Sequence, residues 1–162
     1  MHCLEMETEQ ARRHGSNVCV VMIDLDHFKL VNDTHGHAIG DRVLIETVKA
    51  VQKCLRDRDL LGRLGGEEFA VVLHDTTIDQ AANAAERIRA AIEAMQICND
   101  QGQVVPITTS LGVSAAAADT GLDTPESLLA AADEALYEAK HSGRNRVVLA
   151  RSDTPITRLA AS

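Results

Sequence analysis

Aromatic residues are almost missing from this chain, whose 162 residues include no Trp, one Tyr and two Phe. With 45% of the residues hydrophobic but so few rings, the core must be aliphatic, built from Val, Ile, Leu and Ala. That mixture suits an α/β sandwich. Paired cysteines are lacking too. Cys3, Cys19, Cys54 and Cys98 show no CxxC spacing, with Cys19 in an apolar strand-like run and Cys54 and Cys98 in helical patterns. They read as reduced thiols and imply a cytoplasmic setting. A chain of this length buries roughly 70% of its unfolded surface and folds without disulfide or metal. No stretch approaches the ~18 apolar residues of a membrane span, and no signal-peptide pattern opens the chain. A membrane tether or sensor would therefore lie outside this sequence. Positive charge is in deficit, with 16 Lys and Arg against 24 Asp and Glu and a formal net charge of −8. This argues against a general nucleic-acid surface. It leaves room for a nucleotide substrate, because a few local cations and a metal can outweigh the average field.

The length fits one domain. Residues 2–14 are polar with helical character. Residues 18–25 form a nearly continuous apolar run, the mark of a strand buried on both faces. A helix opens near His27 and Phe28 and stops by Gly36, and a second runs from about Ala38 to Leu55 with Val43, Leu44, Thr47, Val48 and Val51 on one face. Two β runs over residues 59–73 flank Gly65 and Gly66, a hairpin signal. Residues 77–97 read as an Ala-rich amphipathic helix and 104–116 as strand. Pro125 after a Thr124 cap starts a helix that runs to about His141, with Gly143 placed to end it. Residues 146–150 make a last strand and 151–162 a frayed tail. The order α-β-α-α-β-β-α-β-α-β predicts an α/β (α+β) sheet domain rather than a doubly wound parallel fold.

Asp24 and Asp26 close the most hydrophobic strand, and alternation puts both on one face. Two carboxylates there make a hard-oxygen site suited to Mg²⁺, which takes one or two carboxylates plus phosphate oxygens. Glu67 and Glu68 on the glycine hairpin can complete it from an adjacent strand. The plainer alternative is that these acids cap a helix and solvate a turn. The helix start after Asp26 leaves backbone N–H groups free for a phosphate, and Lys29 lies within its first turn. Asn32, His37 and Asp41 follow. Asn and Asp together suit guanine, which offers both acceptors and donors. From the residues alone this is a metal-assisted nucleotide site of unstated chemistry.

The run Asp24-Leu-Asp-His-Phe-Lys-x-x-Asn-Asp-x-x-Gly-His-x-x-Gly-Asp41, followed by Gly65-Gly-Glu-Glu-Phe69, closely resembles the GGDEF-domain diguanylate cyclases in their GGEEF variant. Ser110-Leu-Gly-Val-Ser114 and the segment from Asp133 to Asn145 match two further family stretches, so the resemblance covers roughly residues 5–150 in order. It implies a palm-like sheet of about five strands flanked by helices, as in polymerases and class III nucleotidyl cyclases. It implies a catalytic domain over residues 1–150 and a flexible tail beyond. Asp24 and Glu67 then correspond to ligands of Mg²⁺ or Mn²⁺, with the Leu25 carbonyl as a backbone ligand. Glu67 assists deprotonation of a ribose 3′-OH, and Lys29 stabilises phosphate charge. Lys140 and Arg144 are further phosphate contacts, although cations are favoured at a helix C-terminus for other reasons. Asn32 and Asp41 read guanine, His37 lies in the substrate-binding segment, and Gly65 and Gly66 admit the nucleotide close to the backbone.

The resemblance implies that two GTP molecules are joined into cyclic di-GMP with loss of pyrophosphate. One domain offers one GTP site, so a homodimer must supply both halves. Arg56 and Asp59 match the family's RxxD product-inhibition motif, and Arg87 resembles a secondary arginine of that site; the alternative is an ordinary charged turn. Family domains usually open with a DxLTGLxNR-like segment that links to a sensor or receiver domain, and this chain starts beyond it, so it reads as a fragment. Two other readings are a catalytically idle domain acting as a cyclic di-GMP receptor, and a related metal-dependent cyclase making a different product. Asn32, Asp41 and the RxxD motif favour two GTP.

Overall fold

Strand β1, Val18–Leu25, is buried along all eight residues, as its unbroken apolar sequence requires. The computed structural model describes residues 17–116 and 124–151, together with Met6. On either side of β1 run antiparallel neighbours, β3 (Glu68–His74) and β4 (Thr109–Ala116). Beyond β3 lies antiparallel β2 (Leu60–Gly65), and beyond β4 lies parallel β5 (Val147–Leu149). The sheet is therefore mixed, five-stranded, and ordered β2-β3-β1-β4-β5. Four helices accompany it among the described residues: α1 (Phe28–His35), α2 (His37–Cys54), α3 (Ile78–Glu93) and α4 (Pro125–His141). This is the α/β sheet domain that the element order predicts.

Side-chain alternation along β1 divides the core between the two faces. Cys19, Val21, Ile23 and Leu25 join the larger cluster with Val43 of α2 and Ile88 of α3. Val18, Val20 and Met22 meet Leu128, Ala132 and Leu136 of α4. Each fully buried aliphatic side chain contributes about 1.5–3 kcal/mol, which explains how so few rings suffice. Asp24 shares the α4 face by the same parity. Helix α4 lies very close to the sheet at Gly112, where a Cβ would collide with the Ala132 carbonyl and the Leu136 backbone. Both α3 and α4 start on capping boxes, Thr77 with Gln80 and Thr124 with Ser127, and α4 has the expected Pro in its first turn.

Several boundaries differ from the sequence reading. The strand expected over 104–116 begins only at Thr109. Pro106 has no N–H for a ladder, and Val104 makes only an isolated bridge to Cys98. The helix expected to reach residue 97 ends at Glu93, after which Met95 N–H bonds the Ile92 carbonyl and Ile97 turns into the core. The helix expected over 2–14 lies outside the described residues except for Met6, as do Cys3 and the tail beyond Arg151. No helix among the described residues is long and apolar enough to cross a membrane.

Candidate active site at the end of strand β1

The end of β1 and the β2–β3 hairpin meet side by side. Asp24 pairs with Glu68 across the sheet, and Leu25 N–H bonds the Glu67 carbonyl at 3.3 Å. Hairpin closure depends on Gly66, whose φ of 45° lies in the left-handed region that glycine enters freely. Arg63 fastens the turn, donating from Nε and a terminal nitrogen to the Gly66 carbonyl at 3.1 and 2.7 Å. Space above Gly65 and Gly66 is open, with no atom within 4 Å of where a Cβ would stand. The hairpin thus presents Glu67 beside the strand end, with an accessible backbone next to it.

Lys140 reaches from the last turn of α4 to Asp24, Nζ to Oδ2 at 2.7 Å. A cation placed only to suit the helix dipole would not need this partner. Burial raises the Asp24 carboxyl above its ordinary value and outweighs the lowering by Lys140, while the charges of Glu67 and Glu68 push it further up. Such a carboxylate gains from a cation more than an exposed one does. Asp24, Glu67 and the Leu25 carbonyl are hard oxygen donors, which fits a Mg²⁺ ion that completes its shell with phosphate and water. No group of three acidic, His or Cys side chains forms a metal cage among the described residues.

Asp26 departs from the sequence reading, which placed it with Asp24 in the hard-oxygen site. It is buried, and its oxygens accept from Ser110 Oγ and Thr108 Oγ1, each at 2.7 Å, and from Asn145 N–H at 3.0 Å. Asn145 in turn bonds Arg89 and Glu93 of α3, at 2.7 and 2.8 Å. The Glu93 carboxyl is held below its usual value, mainly by Arg89 and then by Asn145. These partners stand 52–119 residues apart in the chain, so spacing gave no hint of them.

Helix α1 opens after His27, whose φ of 55° is left-handed and whose side chain makes no cap. Lys29 is exposed and pairs with Asp33 at 2.7 Å rather than with the acids of β1. Asn32 packs its carboxamide over Gly40 of α2, so that a Cβ on Gly40 would overlap the Asn32 side chain. Asp41 follows Gly40 on α2 and is exposed. His37, the first residue of α2, is exposed. Arg144 lies in the α4–β5 turn with φ 62°, its N–H bonded to the Ala139 carbonyl at 3.0 Å.

The RxxD residues form a closed turn. Arg56 N–H bonds the Asp59 carboxylate at 2.9 Å, and Asp59 N–H returns to the Arg56 carbonyl at 3.0 Å. Arg87 donates to the Cys54 carbonyl at 2.6 Å, which holds it beside the same turn. The turn and Arg87 are therefore neighbours, joined through Cys54 at the end of α2.

A mixed sheet with helices on both faces, and acids gathered where its central strand meets a glycine hairpin, belongs to the nucleotidyl-cyclase-like α/β class. The family model "Diguanylate cyclase, GGDEF domain" matches residues 2–146, and the chain is a member of that family. It is 46% identical over 136 residues to diguanylate cyclase A of Treponema denticola, covering 84% of this chain and 36% of that protein. The active GGEEF domain of a diguanylate cyclase from Vibrio cholerae superposes with a TM-score of 0.85 at 34% identity, covering 93% of each chain. The GGDEF domain of DgcB from Caulobacter crescentus, solved with c-di-GMP, gives 0.86 at 30% identity, covering 92% of this chain and 86% of that one. The chain spans about a third of the length of the first curated relatives it matches.

Proposed function

We propose that this domain condenses two molecules of GTP into cyclic di-GMP and two of pyrophosphate, working as a homodimer with Mg²⁺ or Mn²⁺. The observation that carries the reading is the junction of Asp24, Leu25 and Glu67, with Lys140 held on Asp24 at 2.7 Å. Asp24, Glu67 and the Leu25 carbonyl would hold the metal, which supplies charge neutralisation at the triphosphate and a more acidic 3′-OH when bound. Glu67 accepts the proton of a ribose 3′-OH as its oxygen bonds to the α-phosphorus of the other GTP. The bond from that phosphorus to the pyrophosphate oxygen breaks, and the same step repeated across the dimer closes the ring. Lys29, Lys140 and Arg144 offset phosphate charge. Asn32 and Asp41 select guanine, with His37 beside them.

Arg56, Asp59 and Arg87 form the product-inhibition site in this reading, supported by the turn that brings them together; the related DgcB domain was solved in complex with c-di-GMP. In the whole protein an upstream sensor or receiver domain controls pairing of the two domains, on the cytoplasmic side, and nucleic acid is not a partner. Incubation at high protein concentration with GTP and Mg²⁺, followed by product chromatography, tests the assignment beside a Glu67→Gln variant. Cyclic di-GMP from the parent alone is expected. Tight cyclic di-GMP binding without turnover would instead favour the idle-receptor reading.

A further inference from the structure

We propose that Asp26 and Asn145 are positioning residues that clamp the α4–β5 turn, with its Lys140 and Arg144, against the acidic end of β1, and that Asp26 is not a metal ligand. The proposal rests on the reading of Lys140 and Arg144 as phosphate contacts. Its physical basis is the turn itself. Gly143, Arg144 and Asn145 have φ values of 123°, 62° and 47°, three successive residues on the positive side. Asn enters the left-handed region readily, but a residue such as Arg144 holds it only where the surroundings over-determine it. Here they do so from two directions.

From the sheet side, Asp26 accepts the Asn145 N–H on Oδ2, the same oxygen that accepts from Thr108 Oγ1, while Ser110 Oγ binds Oδ1. An ionised carboxylate offers about four acceptor sites, and three are engaged. Asp26 is only 4% exposed, and its backbone N–H is tied to the Thr108 carbonyl at 2.9 Å. From the helix side, the Asn145 carboxamide accepts from Arg89 at 2.7 Å and donates to Glu93 at 2.8 Å. Arg89 is itself fixed by Glu86 and Glu93, at 2.8 and 2.7 Å. Arg144 therefore sits beside a residue gripped on both sides, and Lys140 lies one turn upstream on the helix that this turn terminates. Asp24 and Asp26 are thereby given different tasks two residues apart: one faces Lys140 and Glu67, the other faces hydroxyls and a backbone N–H.

Isosteric replacement separates the roles. In Asp26→Asn the amide oxygen can still accept from Thr108 and Asn145, and the Ser110 hydroxyl can turn to accept from the new NH₂. A lost ligand has no such rescue. Asn145→Gly keeps the positive φ and the N–H to Asp26 but removes the link to α3. The probes are α,β-methylene GTP with Mg²⁺ by calorimetry, Mn²⁺ by electron paramagnetic resonance, and amide exchange at Asn145. Loss of such a supporting contact typically costs about tenfold or more, so Asp26→Ala is expected to weaken analogue binding by about tenfold and speed exchange at Asn145. Asn145→Gly serves as the second variant should Asp26→Ala not fold, and is expected to weaken analogue binding in the same direction. Asp26→Asn should retain analogue binding and leave the Mn²⁺ midpoint in place, while Asp24→Asn shifts that midpoint. A Mn²⁺ shift in Asp26→Asn matching that of Asp24→Asn would overturn the proposal by making Asp26 a ligand. Unchanged analogue binding in both Asp26→Ala and Asn145→Gly would overturn it by leaving the clamp nothing to position. A parent that binds no analogue overturns the nucleotide reading, and with it this role, and is distinguished by failing before any substitution is made.

Discussion

Gly112 and Gly40 are both glycines beneath a close neighbour, and they should respond in opposite ways to a single added methyl. At Gly112 the neighbours are backbone: the Ala132 carbonyl, the Leu136 nitrogen and the Leu136 Cα, the last only 2.9 Å from the new Cβ. Backbone of a packed helix cannot swing aside, so α4 must back away from β4 by about 1 Å to restore ordinary contact distances. That displacement loosens Leu128, Ala132 and Leu136 against Val18, Val20 and Met22. Overpacking of a core costs about 1–3 kcal/mol where side chains can adjust, and the immovable partner puts Gly112→Ala at or beyond the upper end. At roughly 2–4 °C per kcal/mol for a domain of this size, melting should fall by about 6–12 °C. At Gly40 the obstacle is the free end of the Asn32 side chain, with Cγ at 2.9 Å. A rotamer change relieves it, and Ala is favoured over Gly inside a helix by about 1 kcal/mol. Gly40→Ala should therefore melt no lower than the parent while weakening binding of a GTP analogue, because the Asn32 carboxamide has been pushed out of place. Thermal and urea unfolding of both variants beside analogue titration decides the matter. A Gly112→Ala melting point equal to the parent's would refute the packing argument, and intact guanine binding in Gly40→Ala would refute the role given to Asn32.

Burial raises the Asp24 carboxyl, so the folded chain binds that proton more tightly than the unfolded one. The resulting penalty is absent below the unfolded value of about 3.9 and fully present above the folded value. Without divalent metal, Asp24→Asn should gain stability relative to the parent as pH rises through the folded value, because only the parent ionises a buried carboxyl there, whereas loss of the Lys140 partner weighs on the variant throughout that range. Adding Mg²⁺ with the GTP analogue at about 100 times the dissociation constant should stabilise the parent by ~2.7 kcal/mol and the variant far less; equal gains by differential scanning calorimetry would sink the ligand assignment. Arg56→Ala should weaken cyclic di-GMP binding by about tenfold, in line with loss of a good bidentate guanine contact, and unchanged affinity by calorimetry would return Arg56 to the status of a turn residue. Burial pushes the Cys19 thiol up to about 12, and its Sγ donates to the Thr76 carbonyl at 3.0 Å. Peptide mapping after thiol labelling at pH 8 should find half-buried Cys54 modified long before Cys19; rapid modification of Cys19 would show that the β1 core opens readily.

Local chemistry made much of this molecule legible from sequence. The apolar run at 18–25, the Gly65-Gly66 turn and the Thr124-Pro125 start each carry their own cause, and each appears where expected. Pro106 was equally visible, and weighing its missing N–H would have stopped β4 from being extended back to residue 104. Lys140 entered the site only through family resemblance, as a phosphate contact, and its pairing with Asp24 across 116 residues is announced by nothing local. Asp26 shows where alternation misleads. The i, i+2 rule places it on the face of Asp24, yet β1 ends at Leu25, and beyond the strand the face is set by Thr108, Ser110 and Asn145. Hydrogen-bond partners of a buried carboxylate are chosen by tertiary packing, which the spacing of its own segment does not encode.

Two of the site's cations, Lys140 and Lys29, already hold carboxylate partners, and this bears on how the proposed site would accept a substrate. Asp24 is bound to Lys140 across a half-buried gap, and Lys29 to Asp33 in solvent. A cation alone would take Asp24 and leave Lys140 partly buried without its anion; a phosphate alone would take Lys140 and leave Asp24 in the same position. Either half-step strands a desolvated charge, the costly outcome for a buried pair. A metal–triphosphate supplies both replacements at once, an anion for Lys140 and a cation for Asp24. On the proposed function, metal and nucleotide binding would be thermodynamically coupled, and the coupling reciprocal. The exposed Lys29–Asp33 pair imposes little such restraint, because water stabilises either partner once they separate. On the proposed reading Lys29 would turn to a phosphate late, whereas Lys140 would do so as the metal arrives. The clamp of Asp26 on Asn145 belongs to the same logic, since an exchange of partners works only if the turn beyond Lys140 stays in register with the end of β1 while the charges change hands.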